Sequence, residues 1–231
     1  MSSILLVRHG QARWGARDYD HLSDLGRRQC ELLGCALAAR GVRPTVVVAG
    51  GMRRHAMSAD AVCRAAGWTM PVQVDPGWDE YPHQDIIAVH KPAYRNQVVM
   101  KADLVRTLHP RLQFQAMFEK ALERWSTGEH DDDYRESFPQ FCSRVEVSLA
   151  ELSTRLDHGQ CAVVITSGGP MAWAATSLLE AGSPTWRLLN LGTVNTGVTK
   201  VVAAGDRLVL STVNDHTHLE ADPDPELITY R

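Results

Sequence analysis

Short β-branched runs alternate with helix-period segments through the first third of the chain, and this order constrains the fold more than any other feature. Ile4 to Val7 is an apolar run, and Leu22 to Ala39 has helical spacing behind a Ser23 cap. Thr45 to Ala49 reads TVVVA, Met52 to Ala66 is helical again, and Val72 to Val74 precedes an Asp75-Pro76-Gly77 turn. A βαβαβ order calls for parallel strands joined by crossover helices, with both sheet faces covered. Cys161 to Ile165 and a helix from about Pro170 to Ala181 continue the alternation. Val198 to Ala203 and Leu208 to Val213, joined through Gly205-Asp206, read as a hairpin that adds an antiparallel edge. The expected architecture is α/β: a three-layer α/β/α sandwich with a mostly parallel sheet, an antiparallel edge strand and a helical insertion.

The insertion is expected over 81–160, where the strand signal disappears and helical patterns such as Leu112 to Trp125 and Phe138 to Leu156 take over. Phe114, Phe118, Trp125 and Phe138 are expected in its core. A length of 231 residues fits one domain spanning 1–231 with that insertion inside it. The acidic link from Glu129 to Asp133 reads as a solvated loop, and Asp222 to Glu226 as an exposed tail. Residues 159–179 carry no charge for 21 positions, long enough to suggest a membrane span of about 20 residues. Thr166-Ser167-Gly168-Gly169-Pro170 interrupts that stretch, so a strand, a tight turn and a helix explain it better.

A net charge of −3 and a pI near 6.4 give no electrostatic footprint for a nucleic acid or an anionic membrane. The five cysteines form no CxxC pair, and the start of the chain reads as a strand and not a signal peptide, so a reducing cytoplasm is the expected location. Ligands of open parallel sheets bind beyond the carboxyl ends of the strands. Four such ends carry chemistry: Arg8-His9-Gly10, then Gly50-Gly51 running into Arg53-Arg54-His55, then Glu80, then Ser167-Gly168-Gly169. Arginines, a histidine, a carboxylate and a glycine-bordered hydroxyl suit the holding and transfer of a phosphoryl group. Neither a Walker A pattern nor Gly-x-Gly-x-x-Gly is present.

These residues resemble the histidine phosphatase superfamily, the phosphoglycerate mutase-like proteins. Arg8-His9-Gly10-Gln11 resembles its Arg-His-Gly signature, and Leu22-Ser23, Gly26 and Gln29 resemble its Leu-Thr-x-x-Gly-x-x-Gln helix start. Met52 to Ala59 takes the place of Leu-x-Arg-Ala-x-Gln-Thr-Ala, which puts the phosphate-binding arginine at Arg54; a one-residue slip would choose Arg53. Trp78-Asp79-Glu80 resembles the segment with the proton-donating glutamate. Glu136-Ser137 with Arg144-Val145 resembles the insert pattern, and Asn214 to Leu219 the terminal strand. One departure stands out: the family's Ser-His-Gly-Gly is Thr166-Ser167-Gly168-Gly169 here, so Ser167 occupies the place of a second histidine.

The resemblance implies that neutral His9 attacks phosphorus and forms a phosphohistidine. Arg8, Arg54, Ser167 and Gly168 would bind the phosphoryl group, and Glu80 would protonate the leaving group and then activate water. Neither a metal nor a cofactor is implied. Losing a cationic donor at position 167 would cost on the order of 10²- to 10³-fold in rate if nothing replaced it. His83, three residues after Glu80, is the expected auxiliary group, with Gln11 a second one; His21, His55, His90, His109, His130 and His158 are assigned to surface or helix faces, and His218 to a structural place or the pocket rim. Two alternatives stay open: a noncatalytic or weakly active phosphate-binding pseudophosphatase, and a serine hydrolase using Ser167 with Asp215 and His216 or His218. Hydrolysis is favoured over mutase chemistry because Gln11-Ala12-Arg13-Trp14-Gly15 lacks the mutases' Glu-Ser-x-Trp-Asn continuation. The expected partner is a small phosphorylated substrate or inorganic phosphate, with a homodimer left open and no nucleic acid or membrane.

Overall fold

The structure is a computed structural model that describes residues 1–13, 20–205 and 207–230. The chain forms two compact units, one of Met1–Glu80 with Arg144–Arg231 and one of Tyr81–Ser143. The first unit opens with β1 (Ser2–Arg8), α1 (Asp24–Ala39), β2 (Val46–Ala49), α2 (Arg53–Ala66) and β3 (Val72–Val74). The second unit holds α3 (His83–His90), α4 (Gln97–Val105), α5 (Pro110–Ser126) and the start of α6 (Phe138–Thr154). The first unit resumes with the rest of α6, then β4 (Cys161–Thr166), α7 (Gly168–Leu178), α8 (Ser183–Gly192), β5 (Val198–Ala204), β6 (Arg207–Asp215) and α9 (Thr217–Glu220).

Among the described residues the strands form a six-stranded sheet in the order β3-β2-β4-β1-β5-β6. β1, β2, β3 and β4 pair in parallel, and β5 and β6 add an antiparallel edge beside β1. The expected α/β sandwich is the observed fold class, although Asp206 of the hairpin turn and Trp14-Gly15 lie outside the described residues. Register brings three strand ends together: Arg8 lies opposite Thr166, and Ala49 opposite Ile165. His9, Gly50 and Ser167 therefore leave the sheet along one edge. Leu5, Val7, Ala49, Val163 and Ile165 pack with Leu33 and Leu37 of α1 and with Ala59 and Val62 of α2. Ile4, Leu6 and Val164 alternate with them onto the opposite face and are equally buried, as strands covered on both sides require.

Four expectations change. The compact second unit ends at Ser143 and not near 160, because the later part of α6 belongs to the sheet unit. There the Arg144 guanidinium donates to the carbonyls of Gly77 and Asp79, both at 2.9 Å. Disappearance of strand periodicity marks where helices begin, and that is a different boundary from where contacts divide. The helix expected to Ala181 ends at Leu178 and is followed by α8, whose buried Trp186 donates its indole N–H to Gly169 O at 3.1 Å. In the second unit Trp125 and Phe138 are buried as expected, whereas Phe114 and Phe118 stack on each other, ring centroids 5.9 Å apart, in half-exposed positions.

The acidic tail is the fourth change. Asp222 and Asp224 both pair with Arg28, each at 2.9 Å, and Leu227 is fully buried. Gln29, also fully buried, donates its side-chain amide to Leu227 O at 2.7 Å and to Thr229 Oγ1 at 2.8 Å. A buried amide needs partners, and the C-terminal segment supplies them. Among the described residues no helix is long and apolar enough to cross a membrane.

Candidate active site

The end of β1 is held by close packing against α1. A Cβ on Gly10 would lie 2.3 Å from the Gly26 carbonyl oxygen, and one on Gly26 would lie 2.1 Å from that of Gln11. Both positions exclude any side chain, which gives the Arg-His-Gly segment and the α1 start their glycines. The Gly10 N–H donates to Ser58 Oγ at 3.1 Å, and that hydroxyl donates to Arg54 O at 2.8 Å, so α2 is tied to the strand end. Asn195 Nδ2 donates to His9 O at 3.0 Å from the other side. The His9 backbone is thereby braced before its side chain does anything.

The His9 imidazole is 5% exposed. Its Nδ1 faces the Gly10 carbonyl at 2.7 Å, an acceptor only, so Nδ1 carries the proton and Nε2 the lone pair. Arg54 Nε donates to that Nε2 at 3.1 Å. Burial, with the charges of Arg54 and Arg8 behind it, holds the His9 pKa well below the ordinary histidine value, so the ring is neutral near pH 7. Arg54 itself is 5% exposed; its Nη1 pairs with Asp20 at 2.8 Å and its Nη2 donates to Ser167 Oγ at 3.4 Å. Arg53 has an exposed side chain, so of the two arginines it is Arg54 that the fold sets beside His9.

Arg8 donates through Nη1 to the carbonyls of Thr193 and Tyr230. A Cβ on Gly168 would meet Arg8 Nε at 3.6 Å and Asn190 Oδ1 at 2.9 Å, so glycine keeps the first turn of α7 open beside that guanidinium. Glu80 lies at the same helix end, accepting from the Gly169 N–H at 3.4 Å. Its segment is steadied by Arg144 and by the Gly51 N–H, which donates to Asp79 Oδ1 at 2.5 Å. Arg8, His9, Arg54, Ser167, Gly168 and Glu80 thus belong to one unit and converge on one edge of its sheet.

The two expected auxiliaries have other settings. Gln11 braces α1: its Oε1 accepts from Ser23 Oγ at 2.8 Å and its N–H donates to Gln29 Oε1 at 2.8 Å. His83 belongs to the second unit, as the first residue of α3. The histidine beside Ser167 is instead His55, which was assigned to a surface or helix face and is fully buried. Its Nε2 lies 2.7 Å from Ser167 Oγ across 112 residues of sequence, and its ring centroid lies 5.7 Å from that of His9. The signal was in the motif comparison: His55 stands where the resembled pattern has alanine. The hydrolase reading loses its partners by the same observation, since His218 bonds Thr196 Oγ1 at 3.0 Å, His216 bonds Asn214 O at 2.7 Å and Asp215 pairs with Arg40 at 3.4 Å.

Burial of these imidazoles makes folding pH-dependent. His9 and His55 have pKa values well below 6.5 in the fold, and half-buried His218 is lowered to about 4. Below about pH 6.5 the unfolded chain binds protons that the folded chain excludes. Stability is therefore full above about pH 7 and falls as pH drops through 6.5, by up to about 1.4 kcal/mol per pH unit for each such histidine. Urea midpoints measured from pH 8 to pH 5 check this, and a midpoint that stays flat or rises on acidification contradicts it.

The model of the histidine phosphatase superfamily (branch 1) matches residues 4–97 and 109–216, most of the chain. The chain belongs to the histidine phosphatase superfamily. Membership assigns it phosphatase chemistry at the level of class. Its fold is similar to that of a phosphoserine phosphatase mutant from Entamoeba histolytica in complex with phosphoserine, with TM-score 0.67 and 18% identity over 95% of this chain and 100% of that one. It is also similar to the mycobacterial glucosyl-3-phosphoglycerate phosphatase, with TM-score 0.63 and 21% identity over 92% of this chain and 98% of that one. Bacillus stearothermophilus YhfR gives TM-score 0.65 and 17% identity over 94% of this chain and 99% of that one. No curated protein sequence matches significantly.

Proposed function

We propose that this member of the superfamily is a metal-independent phosphomonoesterase that transfers the phosphoryl group of a small substrate to His9 and then to water. The observation that carries this reading is the state of His9: a neutral imidazole whose Nδ1 proton is engaged by Gly10 O, leaving the Nε2 lone pair 3.1 Å from the Arg54 guanidinium. A phosphoryl group that exchanges with that contact meets a nucleophile and cations already in position.

Nε2 attacks phosphorus in line, and the alcohol leaves with a proton from Glu80. The carboxylate so formed takes a proton from water as the water attacks phosphohistidine, which returns His9 to its starting form. Arg8 and Arg54 hold the nonbridging oxygens as charge builds, with the N–H groups at the start of α7 beside them. The names of structural neighbours suggest compact anionic phosphomonoesters, phosphoserine and glucosyl-3-phosphoglycerate among them, as first candidates. The test is a phosphometabolite screen followed by trapping of label on His9 that is lost in acid and kept in base. Label on Nε2 of His9 with a turned-over substrate is expected; turnover with no label at His9 defeats the covalent mechanism, and anion binding without turnover of any substrate favours the pseudophosphatase.

A further inference from the structure

Ser167 is fully buried and carries no charge, yet it stands beside Arg54, and its neighbour Gly168 beside Arg8, the two arginines that the reading above gives to a dianionic phosphoryl group. The protons of its surroundings can be assigned. Arg54 Nη2 donates to Ser167 Oγ at 3.4 Å, and with the neutral His55 proton on the side of the Gly50 backbone, Nε2 accepts the serine proton at 2.7 Å. The His55 proton then lies on Nδ1, facing Asp79 Oδ1 at 3.9 Å. The ring fits there because position 50 is glycine: a Cβ on Gly50 would lie 2.3 Å from His55 Nδ1. In this arrangement the serine spends its only proton on the imidazole and offers just lone pairs to an anion.

We propose that His55 takes up one proton when a tetrahedral dianion binds beside Arg8, His9 and Arg54, so that His55 and Ser167 together act as the cationic donor that position 167 lacks. This rests on the phosphate-site reading of the preceding subsection. The proton comes from the buffer acid in bulk solvent, which is left as its conjugate base, and binds His55 Nε2, whose N–H then donates to Ser167 Oγ. The serine hydroxyl is released to donate to an anion oxygen, and His55 Nδ1–H keeps facing the Asp79 carboxylate. No other bond changes.

The charges that face His55 favour this. Asp79, from the segment after β3, attracts a cation; Arg54, on its own helix, and the nearby His9 ring oppose one. Burial and Arg54 accordingly keep His55 neutral while Arg54 is paired with Asp20. A bound dianion shifts the balance: it draws on the charge of Arg54, which also faces Asp79, and a proton on His55 restores positive charge beside that carboxylate. A cation at position 55 also discourages protonation of His9, so the nucleophile stays neutral while the anion is held.

Tungstate, a tetrahedral dianion that does not titrate near neutral pH, serves as the probe. Isothermal titration in two buffers of different ionisation heat measures proton uptake on binding. The intact protein is expected to take up close to one proton more than His55→Gln, which keeps a donor nitrogen but cannot gain charge. The affinity of the intact protein should rise by up to about tenfold per pH unit lowered from 8 to 6, and that of His55→Gln should stay nearly flat. Equal uptake and equal slopes overturn the proposal. In the intact protein, nitrogen-resolved NMR of His55 should show both ring nitrogens protonated in the tungstate complex, and a neutral ring there also overturns it, whether or not the variant folds. Neither readout uses turnover. Proton uptake at His55 without label on His9 leaves the proposal standing and defeats the phosphohistidine mechanism, whereas label on His9 with a neutral His55 does the reverse.

Discussion

His9→Ala is expected to lower kcat/KM for whichever phosphomonoester is turned over by at least about 10⁴-fold, the scale seen when a nucleophile that works with its neighbours as a unit is removed. The loss should fall on chemistry and leave the fold intact. The His9 side chain makes two internal hydrogen bonds, to Gly10 O and from Arg54 Nε, while its backbone carbonyl keeps the bond from Asn195. Arg8 and Arg54 also remain, so tungstate should still bind within about tenfold of the intact protein, and removal of one neutral ring from between two cations need not weaken it. Steady-state kinetics beside anion titration separates the two quantities. Activity within tenfold of the intact protein would remove His9 from the mechanism.

Arg54→Ala is expected to cost on the order of 10²- to 10³-fold in kcat/KM, about 3 to 4 kcal/mol of transition-state stabilisation, and Arg53→Ala close to nothing. Arg54 reaches His9, Asp20 and Ser167 through three different nitrogens at 3.1, 2.8 and 3.4 Å. A lysine cannot reproduce that fork, so Arg54→Lys should recover little. The variant should also change the pH profile. Arg54 is among the charges that depress the His9 pKa, so its removal raises that pKa and lowers the neutral fraction at a given pH. The acid limb of kcat/KM is expected to move to higher pH in Arg54→Ala; an unmoved limb, or equal losses at Arg53 and Arg54, would refute the assignment.

The readable parts of this protein were those whose signals are local. Strand and helix periods depend on residues two to four apart, and they located the parallel strands, the Ser23 cap and the glycine turn after β4. Gly10 and Gly26 were legible as motif members, although their reason, an approach of α1 too close for any Cβ, appears only in three dimensions. α8 escaped because Gly182, Pro184 and Gly192 break up a short pattern. The C-terminal segment looked like a solvated tail because its charges suggest one; its partners, Arg28 and Gln29, are nearly two hundred residues away in the chain. Composition cannot show a partner at that distance.

At the site the division is the same. The amino-acid sequence by itself determined the parallel α/β order and placed Arg8, His9, the Arg53-Arg54 pair, Glu80 and Ser167 at or just beyond strand ends, because those follow from pattern and position along the chain. Only the tertiary structure decided that Arg54 and not Arg53 faces His9, that Asp20 pairs with it, and that the histidine serving Ser167 is His55. Strand register sets side chains from β1, α2 and β4 within hydrogen-bonding distance of one another, and burial then determines which of them carry protons. Proximity and desolvation belong to the folded chain, so no linear pattern expresses them.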